Sequence, residues 1–258
     1  MTQILAIVFD LDELIGQFVE AGMFWDGLQQ YFKNKLTDAD FFHMLDMFPE
    51  FLRPNIISIF NYLKHQKHAH NNIRVYIFTN NQGPKSWAEK IKNYIEAKIH
   101  YNIFDGVIGA YKVRNKIIEP CRTSYDKSYN DFIKCSGLSD NTKVCFLDDQ
   151  YHPQMKHKNV YYVNVKPYTF NYKFIDMIDT YLQNRHIPPI SNKQAFTHYM
   201  SDFLKGYSFT YTDKTISELN IDNIVSKRMM QHIQQFLKPK QSKTHKAKNK
   251  TMKNKNKN

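Results

Sequence analysis

Seven polar residues border apolar segments that have the form of buried strands, and together they carry most of the chemistry that this sequence offers. They are Asp10, Asp12, Thr79, Asn80, Lys127, Asp148 and Asp149. In an open α/β sheet ligands bind beyond the carboxyl ends of parallel strands, so side chains near those ends are expected to meet at one edge. Four carboxylates, a hydroxyl, an amide and an ammonium at a single edge predict phosphoryl chemistry assisted by a divalent cation.

Asp10 and Asp12 are two residues apart at the end of the first apolar run, so they share one face of an extended chain. A carboxylate can attack phosphorus and form an aspartyl-phosphate, which divides one difficult displacement into two easier ones. We predict that Asp10 is this nucleophile. Asp12 is then the general acid that protonates the leaving oxygen and the base that later activates water, a role that contributes about 10² to 10⁴ in rate.

The remaining polar groups suit a phosphate and a hard metal ion. Mg²⁺ prefers oxygen ligands and is commonly held by one or two carboxylates together with the substrate phosphate. The predicted Mg²⁺ ligands are Asp10, Asp12, Asp148 and Asp149. Phosphate oxygens need hydrogen-bond donors that stabilise charge in the transition state. The predicted donors are Thr79, Asn80 and Lys127.

Five short apolar runs predict the strands that hold these residues. Each is nearly continuous, as expected of parallel strands covered on both faces. The runs are residues 4–9, 73–78, 104–108, 143–147 and 160–165. Helical periodicity is found at residues 55–65, 84–98, 127–135, 192–204 and 221–237. The alternation of strands and helices predicts an α/β fold with a doubly wound, Rossmann-like, mostly parallel sheet.

Composition divides the chain into three predicted parts. Residues 1–187 contain all of the predicted strands, with a small aromatic-rich helical insertion at 17–52 after the first strand. Residues 188–237 are predicted to be a carboxy-terminal helical appendage. Residues 238–258 have no apolar periodicity and are predicted to be a basic disordered tail.

The positive charge of the chain is concentrated in that tail. The net charge is +12 at pH 7, and subtracting the nine lysines of residues 238–258 leaves +3 on the rest of the chain. The tail therefore predicts nonspecific contact with polyanions, which weakens as the salt concentration rises. The small charge of the rest gives no support for a basic groove on the folded body.

Cysteine usage and hydropathy bear on the compartment. Cys121, Cys135 and Cys145 have no repeated spacing, and we interpret them as ordinary thiols of a reducing compartment. The first apolar run is interrupted by Asp10 after six residues, which is too short for a signal peptide or a membrane span. The sequence thus predicts a soluble intracellular protein of the cytoplasm or nucleus that does not contact a membrane.

Four motifs occur in the order VFDLDEL, VYIFTNN, the lysine that begins KSYNDFIKC, and VCFLDD. This series resembles the motifs of the haloacid dehalogenase-like superfamily of phosphotransferases over residues 4 to about 167. The resemblance implies a Rossmann-like domain with Mg²⁺-dependent phosphatase activity and an aspartyl-phosphate on Asp10. Leu14 departs from the pattern, because Thr or Val is usual there. This departure leaves open a catalytically idle interaction or virion-associated module.

Two narrower resemblances point to different substrates. Glu13 in DLDE and the Phe51-Leu-Arg53-Pro54 segment resemble phosphatases that act on the carboxy-terminal domain of RNA polymerase, the NLI-interacting-factor-like group. The loop TNNQG at 79–83 is similar to that of members acting on nucleic-acid ends or histidinol phosphate. The whole pattern is also similar to uncharacterised dehalogenase-like proteins of large DNA viruses.

The insertions are small for a full lid over the site, so an open site that accepts a macromolecular phosphate is expected. We predict hydrolysis of a phosphate monoester on a phosphorylated macromolecule. A phosphoprotein is the first choice, and a nucleic-acid 3′-phosphate is the alternative.

Overall fold

Seven β-strands lie within residues 3–207 and 211–238, the parts of the chain that the computed structural model describes. They are β1 (Leu5–Phe9), β2 (Ile73–Phe78), β3 (Gly106–Ile108), β4 (Lys112–Val113), β5 (Lys116–Ile117), β6 (Lys143–Asp148) and β7 (Val160–Asn164). Five of them form a parallel sheet in the order β3-β2-β1-β6-β7, while β4 and β5 form an antiparallel hairpin. The predicted α/β class with a parallel sheet is confirmed, and the topology is compatible with a Rossmann-like fold.

Eight α-helices are found in the same described ranges. They are α1 (Val19–Tyr31), α2 (Asp38–Met47), α3 (Ile56–Ala69), α4 (Lys85–Ile99), α5 (Tyr129–Ser136), α6 (Phe174–Gln183), α7 (Lys193–Lys205) and α8 (Ile216–Leu237). The segment 17–52 after β1 holds α1 and α2. None of these described helices combines the length and the apolar character needed to cross a membrane.

The central strand β1 is apolar on both faces because helices cover both sides of the sheet. Ile7 and Phe9 belong to the larger hydrophobic cluster, to which α1, α3 and α4 also contribute. Ala6 and Val8 belong to the smaller cluster, which includes Phe132 of α5. Because successive side chains of a strand point to opposite faces, this alternation places one helical layer on each side of the sheet.

The two carboxy-terminal helices add to the larger hydrophobic cluster. Met200 of α7 and both Met229 and Ile233 of α8 are buried in it. Helix α7 packs against α1 and α6, and α8 packs against β6 and β7. Residues 188–237 thus share a core with β1, while the division of the chain into domains stays a prediction. The predicted basic tail lies, from residue 239 onward, outside the described residues.

Capping residues determine where two helices begin, and both starts differ from those predicted by apolar periodicity. Helix α8 begins earlier than predicted because Thr215 and Glu218 form a capping box. Helix α5 begins later than predicted, where the Ser128 hydroxyl accepts a hydrogen bond from the Asp131 N–H. Lys127 therefore precedes α5 and does not belong to its first turn.

Two of the three cysteines are joined. Cys121 and Cys135, 14 residues apart, form a disulfide whose Cα atoms are 5.1 Å apart. The interpretation of all three cysteines as ordinary thiols is wrong for this pair, and Cys145 is a free, buried thiol. The spacing alone does not reveal this pair. The two cysteines come close only through the fold of residues 121–135, which places one cysteine before α5 and the other in its last turn.

Reduction of the Cys121–Cys135 bond is expected to lower the free energy of unfolding by about 3 kcal/mol, because it opens a loop of roughly 15 residues. Melting curves with and without dithiothreitol measure this change. The variant Cys135→Ser should melt at the lower temperature in both conditions. Thiol titration of the denatured, unreduced protein should find Cys145 alone. Three reactive thiols, or no response to the reductant, would contradict the disulfide.

Candidate active site

Strands β1 and β6 lie side by side where the chain changes its direction of travel across the sheet. From β1 the chain moves outward through β2 to β3, and it then returns to β6 on the other side of β1. The loops that follow strands at such a switch point leave a crevice in which ligands bind. Asp10 follows β1 and Asp148 ends β6, so the switch point carries two of the predicted carboxylates.

Lys127 joins these two carboxylates from the buried side. Its Nζ lies 2.6 Å from Asp10 Oδ1 and 2.7 Å from Asp148 Oδ2, and its side chain is only 1% exposed. Burial alone would lower the pKa of Lys127, but the charges of Asp10 and Asp148 outweigh it and hold that pKa above its ordinary value. The ammonium therefore stays charged and is held between the two strand ends.

The two carboxylates bound by Lys127 differ in their environment. Burial would raise the pKa of Asp148, but Lys127 and His152 bring that pKa below its usual value. Asp148 also accepts a hydrogen bond from the Gln150 N–H at 2.8 Å, and His152 Nε2 lies 3.4 Å from its Oδ2. Burial raises the pKa of Asp10 in spite of Lys127, and the charge of Asp148 adds to that rise.

Three of the four predicted Mg²⁺ ligands, Asp10, Asp148 and Asp149, form a group that fits a cation, and Asp12 lies outside this group. One carboxylate oxygen from each lies within 4.8 Å of the others. Asp149 Oδ1 is buried and has no hydrogen-bond partner among the described residues. Burial, with the charges of Asp10 and Asp148, raises the pKa of Asp149 to about 7. A buried oxygen without a partner, beside two carboxylates that share one ammonium, is a donor set that a hard divalent cation satisfies.

Asp12 is held by the loop after β2. Asn81 Nδ2 donates a hydrogen bond of 2.6 Å to Asp12 Oδ2, while Asp12 Oδ1 is buried without a partner among the described residues. Burial raises the pKa of Asp12 to about 6, against the hydrogen bond from Asn81 and with a contribution from the charge of Asp10. A carboxyl group that titrates near neutrality can both give and take a proton, as general acid–base catalysis requires.

A cleft of about 150 Å³ opens over these side chains. Five of the predicted residues line it, namely Asp10, Asp12, Thr79, Asn80 and Asp149. Lys127 and Asp148 contact each other beneath it, through the bonds described above. The structure therefore brings all seven predicted residues to one edge of the sheet. A cleft of this size has room for a phosphate group.

Three supporting residues lay outside the predicted site: Arg53, Asn81 and Arg122. The buried Arg122 donates to the Thr79 carbonyl oxygen at 3.1 Å, and the buried Arg53 donates to the Leu14 carbonyl oxygen at 2.6 Å. Arg53 stands in the Phe51-Leu-Arg53-Pro54 segment that carries the polymerase-phosphatase resemblance, which was the available signal for it. Asn81 adjoins Asn80 in the sequence, and spacing alone does not tell which of the two amides contacts Asp12.

The turn after β1 is shaped by apolar packing at Leu14 and by a close approach at Gly16. The Leu14 side chain is fully buried in the larger hydrophobic cluster. Gly16 passes so close to the next segment that an added Cβ would lie 2.2 Å from the Phe51 carbonyl oxygen. Apolar packing at Leu14 and this close approach therefore give the turn a defined course after Asp12.

Comparison of the chain with protein-family models, with curated proteins and with solved structures found no match. The class of protein is therefore defined by its own fold and site. It is an α/β protein with a five-stranded parallel sheet whose switch point carries a cluster of aspartates around one buried lysine.

Proposed function

We propose that this protein is a Mg²⁺-dependent phosphatase that hydrolyses phosphate monoesters through an aspartyl-phosphate on Asp10. The observation that carries the proposal is Lys127, which is buried and bonded to both Asp10 and Asp148 at the switch point. Two buried aspartates that share one lysine, with the third carboxylate of Asp149 close to them, would cost stability in a protein that bound no further cation or phosphate there. The resemblance of the four motifs to the haloacid dehalogenase-like superfamily supports the same reading.

The first half-reaction forms a bond between a carboxylate oxygen of Asp10 and phosphorus, and it breaks the bond from phosphorus to the ester oxygen. Lys127 binds Asp10 through Oδ1 and so fixes the orientation of the nucleophile. The leaving oxygen takes a proton from Asp12, whose Oδ1 is free of hydrogen bonds to the described residues. Thr79 and Asn80 line the same cleft and can donate to the phosphoryl oxygens.

The second half-reaction returns the enzyme to its starting state. Asp12, now a carboxylate, takes a proton from water as that water attacks phosphorus, and the bond from phosphorus to Asp10 breaks. Inorganic phosphate leaves, and the proton on Asp12 is the one needed for the next leaving group. The raised pKa of Asp12, about 6, suits a group that alternates between the two forms near neutral pH.

Asp10, Asp148 and Asp149 would hold the Mg²⁺ ion, because their oxygens lie within 4.8 Å of one another. The ion, when bound, would offset the repulsion between the carboxylates and the phosphate and would stabilise charge on the phosphoryl oxygens. Oxygen ligands of this kind, with space left for water and substrate, favour Mg²⁺ over softer metals.

The proposed substrate is a phosphate carried by a macromolecule. The cleft accommodates the phosphate group and little else, so a small ester would gain few contacts beyond its phosphate. A phosphoprotein is the first candidate. Turnover of a phosphoserine peptide and of a 3′-phosphorylated oligonucleotide, compared at equal concentration, would separate it from the nucleic-acid alternative.

Hydrolysis of para-nitrophenyl phosphate by the purified protein tests the chemistry. Turnover should require Mg²⁺, and Asp10→Asn should reduce it to background, about 10³-fold or more, because the nucleophile is lost. Asp179→Asn is the matched control, since Asp179 is exposed on α6. Asp10→Asn should still fold, because Asp148 remains paired with Lys127.

Acid quenching during turnover, followed by intact-mass analysis, should detect a phosphorylated wild type and an unphosphorylated Asp10→Asn variant. Equal turnover by the two proteins would contradict the assignment of the nucleophile. A folded wild type that hydrolyses no phosphate ester, with or without Mg²⁺, would favour the idle interaction module.

A further inference from the structure

We infer that Asn81 is a positioning residue that orients the carboxyl group of Asp12, so that a defined oxygen of Asp12 is left to hold the proton for the leaving group. The inference rests on the proposed function and adds to it the residue that aligns the acid. Asn81 touches neither the nucleophile Asp10 nor Lys127 in the described hydrogen-bond network. Its backbone N–H bonds to the Thr79 hydroxyl, but a side-chain substitution keeps that bond, so the effect of the side chain on the reaction would pass through Asp12.

The amide of Asn81 is held at both of its ends. Its Oδ1 accepts a hydrogen bond from the Gly83 N–H at 2.8 Å, and its Nδ2 donates to Asp12 Oδ2 at 2.6 Å. Its backbone N–H donates to the Thr79 hydroxyl at 3.0 Å. The loop that presents Thr79 to the cleft thus also carries the amide that binds the acid.

These bonds determine which end of the amide faces Asp12. The Gly83 N–H can only donate, so it requires the oxygen of the amide, and the NH₂ group must then point the other way. An NH₂ group can only donate, so Asp12 Oδ2 must accept. Oδ1 is then the oxygen that can carry a proton, and among the described residues it has no other partner.

Loss of this amide would free the carboxyl group to rotate and would spread the proton over both oxygens. A misplaced acid matters most when the leaving oxygen is strongly basic, because an alkoxide must be protonated as it leaves. Nitrophenolate is a weak base and leaves without a proton. Asn81 should therefore control how steeply the reaction rate depends on the basicity of the leaving group.

The test measures kcat/KM for a series of aryl and alkyl phosphates, because kcat/KM reports transfer of the phosphoryl group to the enzyme. In Asn81→Ser the rate with an alkyl phosphate should fall about 100-fold, and the rate with para-nitrophenyl phosphate should fall less than about 5-fold. A serine hydroxyl can still accept from the Gly83 N–H, so the turn is retained, but it is too short to reach Asp12. Asn93→Ser, on the exposed face of α4, is the matched control.

A double-mutant cycle then shows whether Asn81 acts through Asp12. Asp12→Asn alone should steepen the dependence on leaving-group basicity, and adding Asn81→Ser should not steepen it further. Asn81→Gln keeps both functions of the amide on a longer side chain, and it should recover part of the lost rate with the alkyl phosphate. It also serves as the second variant if Asn81→Ser melts below the assay temperature.

The outcomes separate the inference from the proposed function. A wild type that hydrolyses the series, with equal losses for all esters in Asn81→Ser, would overturn the inference and leave the phosphatase intact. Independent effects of Asn81→Ser and Asp12→Asn would overturn it as well. A wild type that hydrolyses none of the esters would remove the proposed function, and the inference with it.

Discussion

Lys127→Met should lower the free energy of unfolding by about 3–5 kcal/mol and abolish turnover, because it leaves two buried carboxylates without their shared cation. Asp148 is fully buried and Asp10 nearly so, and Lys127 bonds to both at 2.6–2.7 Å. Methionine has a similar volume, so the loss would come from the missing charge and not from a cavity. Chemical denaturation measures the change in stability, and para-nitrophenyl phosphate hydrolysis measures the change in activity.

The stability difference caused by Lys127→Met should shrink as the pH falls from 7 to 5. In the variant the buried Asp10 and Asp148 would have pKa values above those of the unfolded chain, so their cost is full at high pH and disappears as they protonate. In the wild type Lys127 and His152 hold the pKa of Asp148 below its usual value, so that contribution is lost only at about pH 4 and lower. Between pH 7 and 5 the narrowing therefore comes from the protonation of the buried carboxyl groups in the variant.

Lys134→Met is the matched control for Lys127→Met, because Lys134 is an exposed lysine on α5, the helix that follows Lys127. It should change stability by less than about 0.5 kcal/mol at every pH and leave turnover intact. Mg²⁺ should raise the melting temperature of Lys127→Met by more than that of the wild type, since a bound cation replaces part of the missing charge. A Lys127→Met protein that is as stable as the wild type at pH 7 would show that Asp10 and Asp148 do not carry buried charges that depend on Lys127.

That the seven site residues meet could be predicted, because it requires only that the strands are recognised and that they run parallel. Parallel strands all end at the same edge of a sheet, so Asp10 and Asp148 had to lie near each other once the strands were recognised. Lys127 lies between Asp10 and Asp148 although the helix that follows it begins only at Tyr129. Its side chain is long enough to reach both carboxylates from this position.

The supporting residues could not be predicted, because their roles depend on side-chain directions in loops. Asn80 and Asn81 are neighbours of the same type, and only the hydrogen bond to Asp12 tells them apart. Arginines are usually exposed, so residue type alone does not mark Arg53 and Arg122 as buried groups that bind backbone carbonyls. The start of α8 differs, since the capping-box residues Thr215 and Glu218 are visible in the sequence and mark a helix start that apolar periodicity alone does not show.

Arg53 holds the turn that follows Asp12 to two distant parts of the chain. Its Nε donates to the Leu14 carbonyl oxygen at 2.6 Å, and its second guanidinium nitrogen, Nη2, donates to the carbonyl oxygens of Glu13 and Lys166 at 2.7 and 2.9 Å. Glu13 has a φ of 56°, a left-handed conformation that costs a non-glycine residue roughly 1–2 kcal/mol. The hydrogen bonds from Arg53 help to keep Glu13 in this conformation, and with it the course of the chain beyond Asp12.

Arg53→Met should therefore lower the free energy of unfolding by about 3–5 kcal/mol, because three carbonyl groups lose a buried donor. At a temperature where the variant is still folded, turnover should fall about 100-fold, because the turn relaxes and Asp12 moves from its position over the cleft. Arg53→Lys should recover only part of either loss, since one ammonium cannot reproduce the planar geometry of the guanidinium.

Arg74→Met is the control for Arg53→Met. It removes another arginine that binds backbone carbonyl groups, but at a place far from the site. Arg74 also donates to two backbone carbonyl oxygens, those of Asn71 and Ile73, but it lies at the opposite edge of the sheet, near the start of β2. Its side chain is 34% exposed, so water can replace its bonds and the loss of stability should be small. Turnover should be unchanged in Arg74→Met. If folded Arg53→Met also kept wild-type turnover, the position of Asp12 would not depend on Arg53.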